Sequence, residues 1–428
     1  MLKKLSIISL LCISFFSIIL TGCIDSSEID DYIYPIVIGL DQGVDNKIVL
    51  TILYPTYRSP DGSSSGGAGA TNVSDNNNNV HSIEAPSILE GLNMLNMAIS
   101  RKVSTSHTVM FVISEEFARK GIKEYFAPII RHRDTRNTMY VVVSKGKAIN
   151  FIRENKSNIG ESISKATELI ISQSDNTGYF PKINFEKFYR STISPNEDSI
   201  ATYAGVNSFN NLDDRKSLEN PPLVTEVNDK PGEIKRYGVS KREFVGTAVF
   251  HGDKMVGSLT PSETRYLLMI RNEFKEGIFT IEDKQALGKA IMFTARLGRK
   301  TKIKGYFEGE KPIIDVKLSI EADVESIQSR IHYETTDMVE DLNNQIKTQM
   351  EKDINKLIKK TQTDYEADIF RFGYKFAKHF NTVQDWERYD WLSHYKDAKV
   401  NLSLDVNIRR TGLMIKSSSE QPIENPNE

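Results

Sequence analysis

Two stretches in the last third of the chain alternate apolar and polar residues with a period of two. In IIDVKLSIEADV, Ile314, Val316, Leu318, Ile320, Ala322 and Val324 face Asp315, Lys317, Ser319, Glu321 and Asp323. In KVNLSLDVNIRR, Val400, Leu402, Leu404, Val406 and Ile408 do the same. The pattern predicts two half-buried strands with one wet face, as in an antiparallel sheet covered on one side. Between them Val339, Leu342, Ile346, Met350, Ile354 and Leu357 fall near one stripe of a long helix. ADIFRFGYKFAKHF adds an aromatic-rich stretch expected to form a second helix, so helices should pack on one face of the sheet.

The first third switches between the two periods. YPIVIGLD and KIVLTILYP read as strands joined by the turn QGVDN. Ile88, Leu92, Leu95 and Ile99 make a helical stripe, and HTVMFVIS follows as a buried strand. EEFARKGIKEYFAPIIRHRDTR predicts a helical stretch broken near Pro128, and TMYVVVSKGKA a further strand. From Asp175 to Gly232 the chain is rich in breakers, including Pro221-Pro222 and Pro231-Gly232. EFVGTAVFHGDKMVGSLT then reads as a hairpin turning at His251-Gly252-Asp253, followed by a helix with Ser262 as its N-cap. Residues 58–82 are low in complexity, dominated by Gly, Ser and Asn, and read as a loop on a folded domain. The whole predicts an α+β protein with mixed or antiparallel sheets and helices packed on them.

The opening residues alter where such a body would work. Leu5 to Ile24 is an uncharged run of 20 residues behind Lys3 and Lys4. That length lies within the range of a spanning helix. The positive start, the apolar segment and the small residues Thr21 and Gly22 instead fit a cleaved signal. Leu-Thr-Gly-Cys at its end resembles the bacterial lipobox, in which Cys23 would carry diacylglycerol and become the first mature residue. Cys12 would leave with the signal, so the mature chain could form neither an internal disulfide nor a cysteine-based zinc site. The 406 residues from Cys23 onward are long enough to bury large cores without disulfides. Without Lys3 and Lys4 they hold 53 Lys+Arg against 57 Asp+Glu, a formal charge of −4 that gives no footprint for nucleic acid.

Catalytic patterns are sparse. His81, His107, His132, His251, His332, His379 and His394 stand singly, without metal-ligand spacing, and no phosphate-binding loop or nucleophile elbow is present. No cofactor is expected. One constellation resembles the penicillin-binding order of motifs: Ser162 with Lys165, Ser174 with Asn176, and Arg410-Thr411-Gly412. On one helix, however, Ser162 and Ser174 would stand about 18 Å apart, far beyond proton-transfer reach.

Several segments together resemble the Ger(x)C family, the lipoprotein C subunits of nutrient germinant receptors in spore-forming bacteria. Asp25, Glu28 and Ile29 fit its leader, although Ile24 stands where the family tends to carry Trp; Gly39 and Asp41 fit its first strand end. Arg101, His107, Gly121, Arg133 and Asp134 match a strand-helix segment, and GTAVFHGDKMVG matches a hairpin. DW and RRTGL near the C-terminus are similar too. The resemblance implies a non-enzymatic ectodomain of three α+β domains. It would be lipid-anchored through Cys23 on the outer face of the spore inner membrane and partnered by the integral-membrane A and B subunits. The expected division is a signal peptide over 1–22, an N-terminal α/β domain over 23–152, a middle α+β domain over 153–275, a C-terminal α+β domain over 276–416 and a polar tail over 417–428. The alternatives are a solute-binding lipoprotein and an extracytoplasmic serine acyl transferase.

Overall fold

The computed structural model describes residues 28–55, 78–156, 162–209, 223, 225–329, 331–333 and 335–410, besides Ser6, Ile7, Ser9 and Ser14. The rest of the signal segment, Cys23, residues 58–77 of the loop, Pro221-Pro222, Thr411-Gly412 and the tail over 417–428 lie outside the described residues.

Strands too apolar to alternate need cover on both sides, and they form the centre of the larger sheet. β1 (Tyr32–Ile33) leads into β2 (Val37–Gln42), β3 (Ile48–Pro55) and β4 (Asn78–Ala85). β5 (Lys102–Val103) precedes β6 (Met110–Ser114), β7 (Tyr140–Ser144), β8 (Ile200–Val206), β9 (Arg242–His251) and β10 (Lys254–Leu259). Eight of these make one sheet in the order β10-β9-β8-β7-β6-β2-β3-β4, with β1 and β5 as a small parallel pair beside it. β2, β6, β7 and β8 run parallel, and antiparallel hairpins complete both ends. The boundary expected at residue 152 falls between two strands of this sheet.

The sheet is the middle of three layers. Ile38, Leu40, Phe111, Ile113, Val141 and Val143 pack on one side, where Phe117, Phe126, Phe185 and Phe188 cover them. Val37, Met110, Val112 and Val142 face the other way, onto Phe151, Ile152, Ile163 and Ile171. Gly39 has no Cβ because the Ile152 side chain fills that space. Asp41, at the end of the same strand, accepts the N–H groups of Ala148 at 2.7 Å and Ile149 at 3.0 Å. It thereby satisfies donors at the start of the helix Ala148–Arg153.

The smaller sheet holds β11 (Glu276–Glu282), β12 (Ala290–Glu308), β13 (Lys311–Ile327) and β14 (Lys399–Arg410), in that order. β11, β12 and β13 are antiparallel. β13 and β14, expected in an antiparallel sheet, instead pair in parallel from Ile313 opposite Lys399 onward. Period-two alternation reports which faces are wet and is blind to strand direction. A parallel pair needs a long crossover, supplied here by the helix Thr336–Thr363, whose Leu342, Ile346, Met350, Ile354 and Leu357 are buried.

Four local readings change. Asn78–Ser82, expected in the loop, belong to β4 and pair with β3. The helical stretch after β6 breaks at Gly121 (φ +120°), where a Cβ would meet the Asp253 carboxylate at 2.8 Å, while Pro128 sits inside the helix Lys123–Ile130. Thr260, not Ser262, caps the helix Pro261–Ile270, in a reciprocal box with Glu263; the Ser262 hydroxyl bonds Val227 instead. The aromatic stretch after residue 366 is no helix. Glu366 and Arg371 take positive φ (+47° and +69°), and only short 3-10 turns follow at Phe372–Lys375 and Ala377–His379. Loss of the Thr260 cap in Thr260→Ala should cost about 1 kcal/mol, read as a lowered urea midpoint with unchanged slope.

Candidate functional site

The two sheets share one hydrophobic core, and buried acids add a polar joint between them. Ser199 and its neighbours lead into β8, and beside them Asp198 exchanges backbone and side-chain bonds with Asp368. Asp198 N–H donates to the Asp368 carbonyl at 2.9 Å, and Asp368 N–H donates to Asp198 Oδ2 at 3.0 Å. Asp198 Oδ1 takes the Gly252 N–H at 2.9 Å, and the His251 ring stands 3.4 Å from Oδ2. Asp368 is fully buried. Its Oδ2 accepts Trp391 Nε1–H at 2.8 Å and Gly373 N–H at 2.9 Å; Oδ1 accepts Phe370 N–H at 3.1 Å. These bonds supply what burial removes, and they hold residues 368–373 in the turns that replace the expected helix.

An ionic layer lies next to this joint. Glu197 accepts Arg371 Nε–H at 2.8 Å, and Glu273 accepts Lys187 Nζ–H at 2.6 Å and Arg371 Nη1–H at 3.1 Å. Arg271, fully enclosed, donates to the Ile369 carbonyl at 2.6 Å and pairs with Glu273 at 3.3 Å. Burial pushes the Glu273 carboxyl upward, but Arg271, Lys187 and Arg371 outweigh it and hold the group at about 2. At Asp368 burial prevails and raises the carboxyl to about 7, against the pull of its N–H donors and with Asp198 adding to the rise. The hydrogen bond to Asp198 raises His251.

Among the described residues, one cleft opens beside these contacts and two others lie elsewhere. One of about 370 Å³ borders the ionic layer at Lys187, Glu197, Arg371 and Tyr374. A second of about 290 Å³ lies among Arg119, Tyr203, Lys230, Lys360 and Tyr365. The third, about 850 Å³, has Phe307, Phe380 and Tyr389 as walls near the β12–β13 turn. In the ionic layer each cation already has a carboxylate, so the arrangement is suited to locking two units together.

The residues singled out from sequence are placed as follows. Ser162 caps the helix Ile163–Ser172 by accepting the Lys165 N–H at 3.3 Å. Ser174 points inward to the Phe180 carbonyl, and Arg410 ends β14 in the other sheet. Those spacings therefore reflect capping and turn chemistry. His379 bonds the Gly305 carbonyl at 2.9 Å and His394 that of Asp390 at 3.0 Å. Among the described residues no cluster of three His, Cys, Asp or Glu side chains could hold a metal. Glu197, Asp198 and Asp368 were missed in the sequence. Their one local signal is an acidic pair or single acid set in apolar surroundings, which a surface turn would show equally.

Residues 25–206 match the family model described as the spore germination protein N-terminal domain. Residues 245–412 match the one described as spore germination B3/GerAC like, C-terminal. The protein is thus of the spore germination class, and the chain belongs to the Ger(x)C family. The putative spore germination protein YfkR of Bacillus subtilis (strain 168) is 22% identical over 94% of this chain and 96% of its own length. Spore germination protein KC of the same organism is 23% identical over 92% and 93%, and spore germination protein GerQC of Bacillus cereus is 20% identical over 93% and 97%. The crystal structure of the GerBC protein shares the fold, with a TM-score of 0.52 at 14% identity, over 87% of this chain and 96% of that one.

Two outcomes test the joint. A group raised from 3.8 to about 7 on folding stabilises fully below its unfolded value, and that contribution is lost as pH rises through about 7. The raised His251 acts in the same direction. Wild-type thermal midpoints should therefore fall between about pH 5 and pH 8, and Asp368→Asn, though less stable throughout, should show a shallower fall. At Gly373 a Cβ would lie 2.5 Å from Trp391 Cδ1 and press on the Asn196 carbonyl. Gly373→Ala should cost about 3 kcal/mol, measured by urea unfolding.

Proposed function

We propose that this chain is a non-enzymatic, lipid-anchored subunit of a nutrient germinant receptor. It would sit on the outer face of the spore inner membrane and serve receptor assembly or signal coupling with the integral-membrane A and B subunits. The observation that carries this reading is the family match, which spans both sheets and continues along nearly the full length of the relatives. The lipobox at Cys23 supports the anchor. Two acyl chains hold a protein at a bilayer far better than one, and among the described residues no helix is long and apolar enough to cross a membrane.

The joint supports coupling in preference to ligand capture. A solute-binding lipoprotein would carry two similar lobes that close on a ligand. Here an eight-stranded and a four-stranded sheet of different topology are bound together by buried acids. A displacement imposed on one sheet would pass to the other through Asp198–Asp368 and Glu197–Arg371.

Cys23→Ala should release the protein from the spore inner membrane and impair nutrient-triggered germination. Fractionation with an affinity pull-down of the two membrane subunits checks this. Normal retention and normal germination in the variant would overturn the anchor.

A further inference from the structure

The parallel strands of the larger sheet all begin at one end of it. Val37 stands beside Met110, and Met110 beside Tyr140. The segments that feed β2, β6 and β7 therefore lie at that same end. One is the stretch Glu28–Pro35, only five residues after Cys23 and so within about 18 Å of chain from it. The others are residues 96–109 and 131–139.

These segments are bonded into one surface. β1 pairs with β5, and Ser104 N–H donates to the Ile33 carbonyl at 3.0 Å. Val103 N–H reaches Asn96 Oδ1 at 3.0 Å, and Thr105 Oγ1–H reaches the Asp134 carbonyl at 2.9 Å. The composition of that surface is unusual for a part of the protein that faces water alone. Ile29 and Met97 are each 78% exposed. Arg101, Lys102, Arg131 and Arg133 are exposed around them. Half-buried Tyr32 and Tyr34 stack beside each other, with Lys102 Nζ over the Tyr32 ring at 5.6 Å.

Acids are present but sit differently. Asp134 pairs with Arg133 at 3.6 Å, and Asp31 accepts the Glu28 N–H at 3.3 Å. Glu28, Asp30 and Asp31 lie on the leader itself, whereas the cations lie on the two loops flanking it. No ion pair joins Arg101, Lys102 or Arg131 to a carboxylate among the described residues.

We infer that this strand-start end rests on an anionic lipid surface and orients the body on the bilayer. Exposed apolar side chains, tyrosines and a surround of Arg and Lys are what an interfacial contact needs. The short leader keeps the cations within reach of the headgroups, where basic residues are attracted to anionic lipid. The inference rests on the anchor reading and adds an orientation to it. It predicts that the sheet stands with its parallel strands pointing away from the membrane.

The test uses the full lipidated chain on phosphatidylcholine vesicles with and without phosphatidylglycerol, read by hydrogen exchange. Both vesicles should retain the protein. Amides in 97–107 and 131–136 should exchange about tenfold more slowly on the anionic ones. Replacing Arg101, Lys102, Arg131 and Arg133 by Gln should abolish that difference while β6 and β7 stay protected, which shows the variant is folded. Retention on both vesicles without slowed exchange at these segments would overturn the orientation and leave the anchor standing. Failure of either vesicle to retain the chain would overturn both. Slowing that appears only when the membrane subunits are present would assign the surface to a protein and overturn the lipid contact.

Discussion

The exchange between Asp198 and Asp368 is the polar constraint that fixes how the two sheets sit on their shared hydrophobic core. Two carboxylates removed from water are costly unless donors replace the lost hydration. Here Gly252, Gly373, Phe370 and the Trp391 indole supply N–H groups, and Asp368 N–H binds the other acid. Phe370 and Gly373 are local to Asp368, but Asp198 and Asp368 lie 170 residues apart, so the bonds between the two acids can form only when both parts are in place. The stretch around Asp368 then has no freedom to become a helix.

The neighbouring ionic layer extends that constraint sideways. Glu273 and Glu197 share Lys187, Arg271 and Arg371, so the helix before β8, the end of the helix Pro261–Ile270 and the crossover segment all meet in one cluster. A buried ion pair contributes little net stability against an apolar equivalent, but breaking one partner leaves a charge stranded. Such a layer therefore enforces one relative placement of the parts.

Residues on which the family resemblance rests are largely structural where the structure describes them. Gly39 admits Ile152, Asp41 serves the helix at Ala148, and Gly121 lies against Asp253 of the distant hairpin. The last two belong to separate sequence segments, and Lys123 N–H also reaches the Asp253 carboxylate at 3.3 Å. By contrast Arg101 and Arg133 are exposed at the strand-start end, where no packing demand explains them, while exposed His107 sets its ring edge-on to Tyr34 at 4.6 Å. A match in sequence does not distinguish these two groups; burial does.

What the sequence by itself determined was local and periodic. Alternation placed β13 and β14 and their wet faces, the helical stripe placed Thr336–Thr363, and uniformly apolar runs marked β6 and β7, because side-chain direction follows from backbone geometry alone. The family resemblance was also legible, since it is a pattern of residue type in order. Tertiary structure decided the rest. The parallel pairing of β13 with β14, the break at Gly121 and the turns after Glu366 each depend on a partner far away in the chain, whereas the Thr260 cap is local and the sequence offered two adjacent candidates for it. The joint was hidden for the same reason: an aspartate in a turn looks alike in sequence whether water or a distant backbone N–H completes its hydrogen bonds.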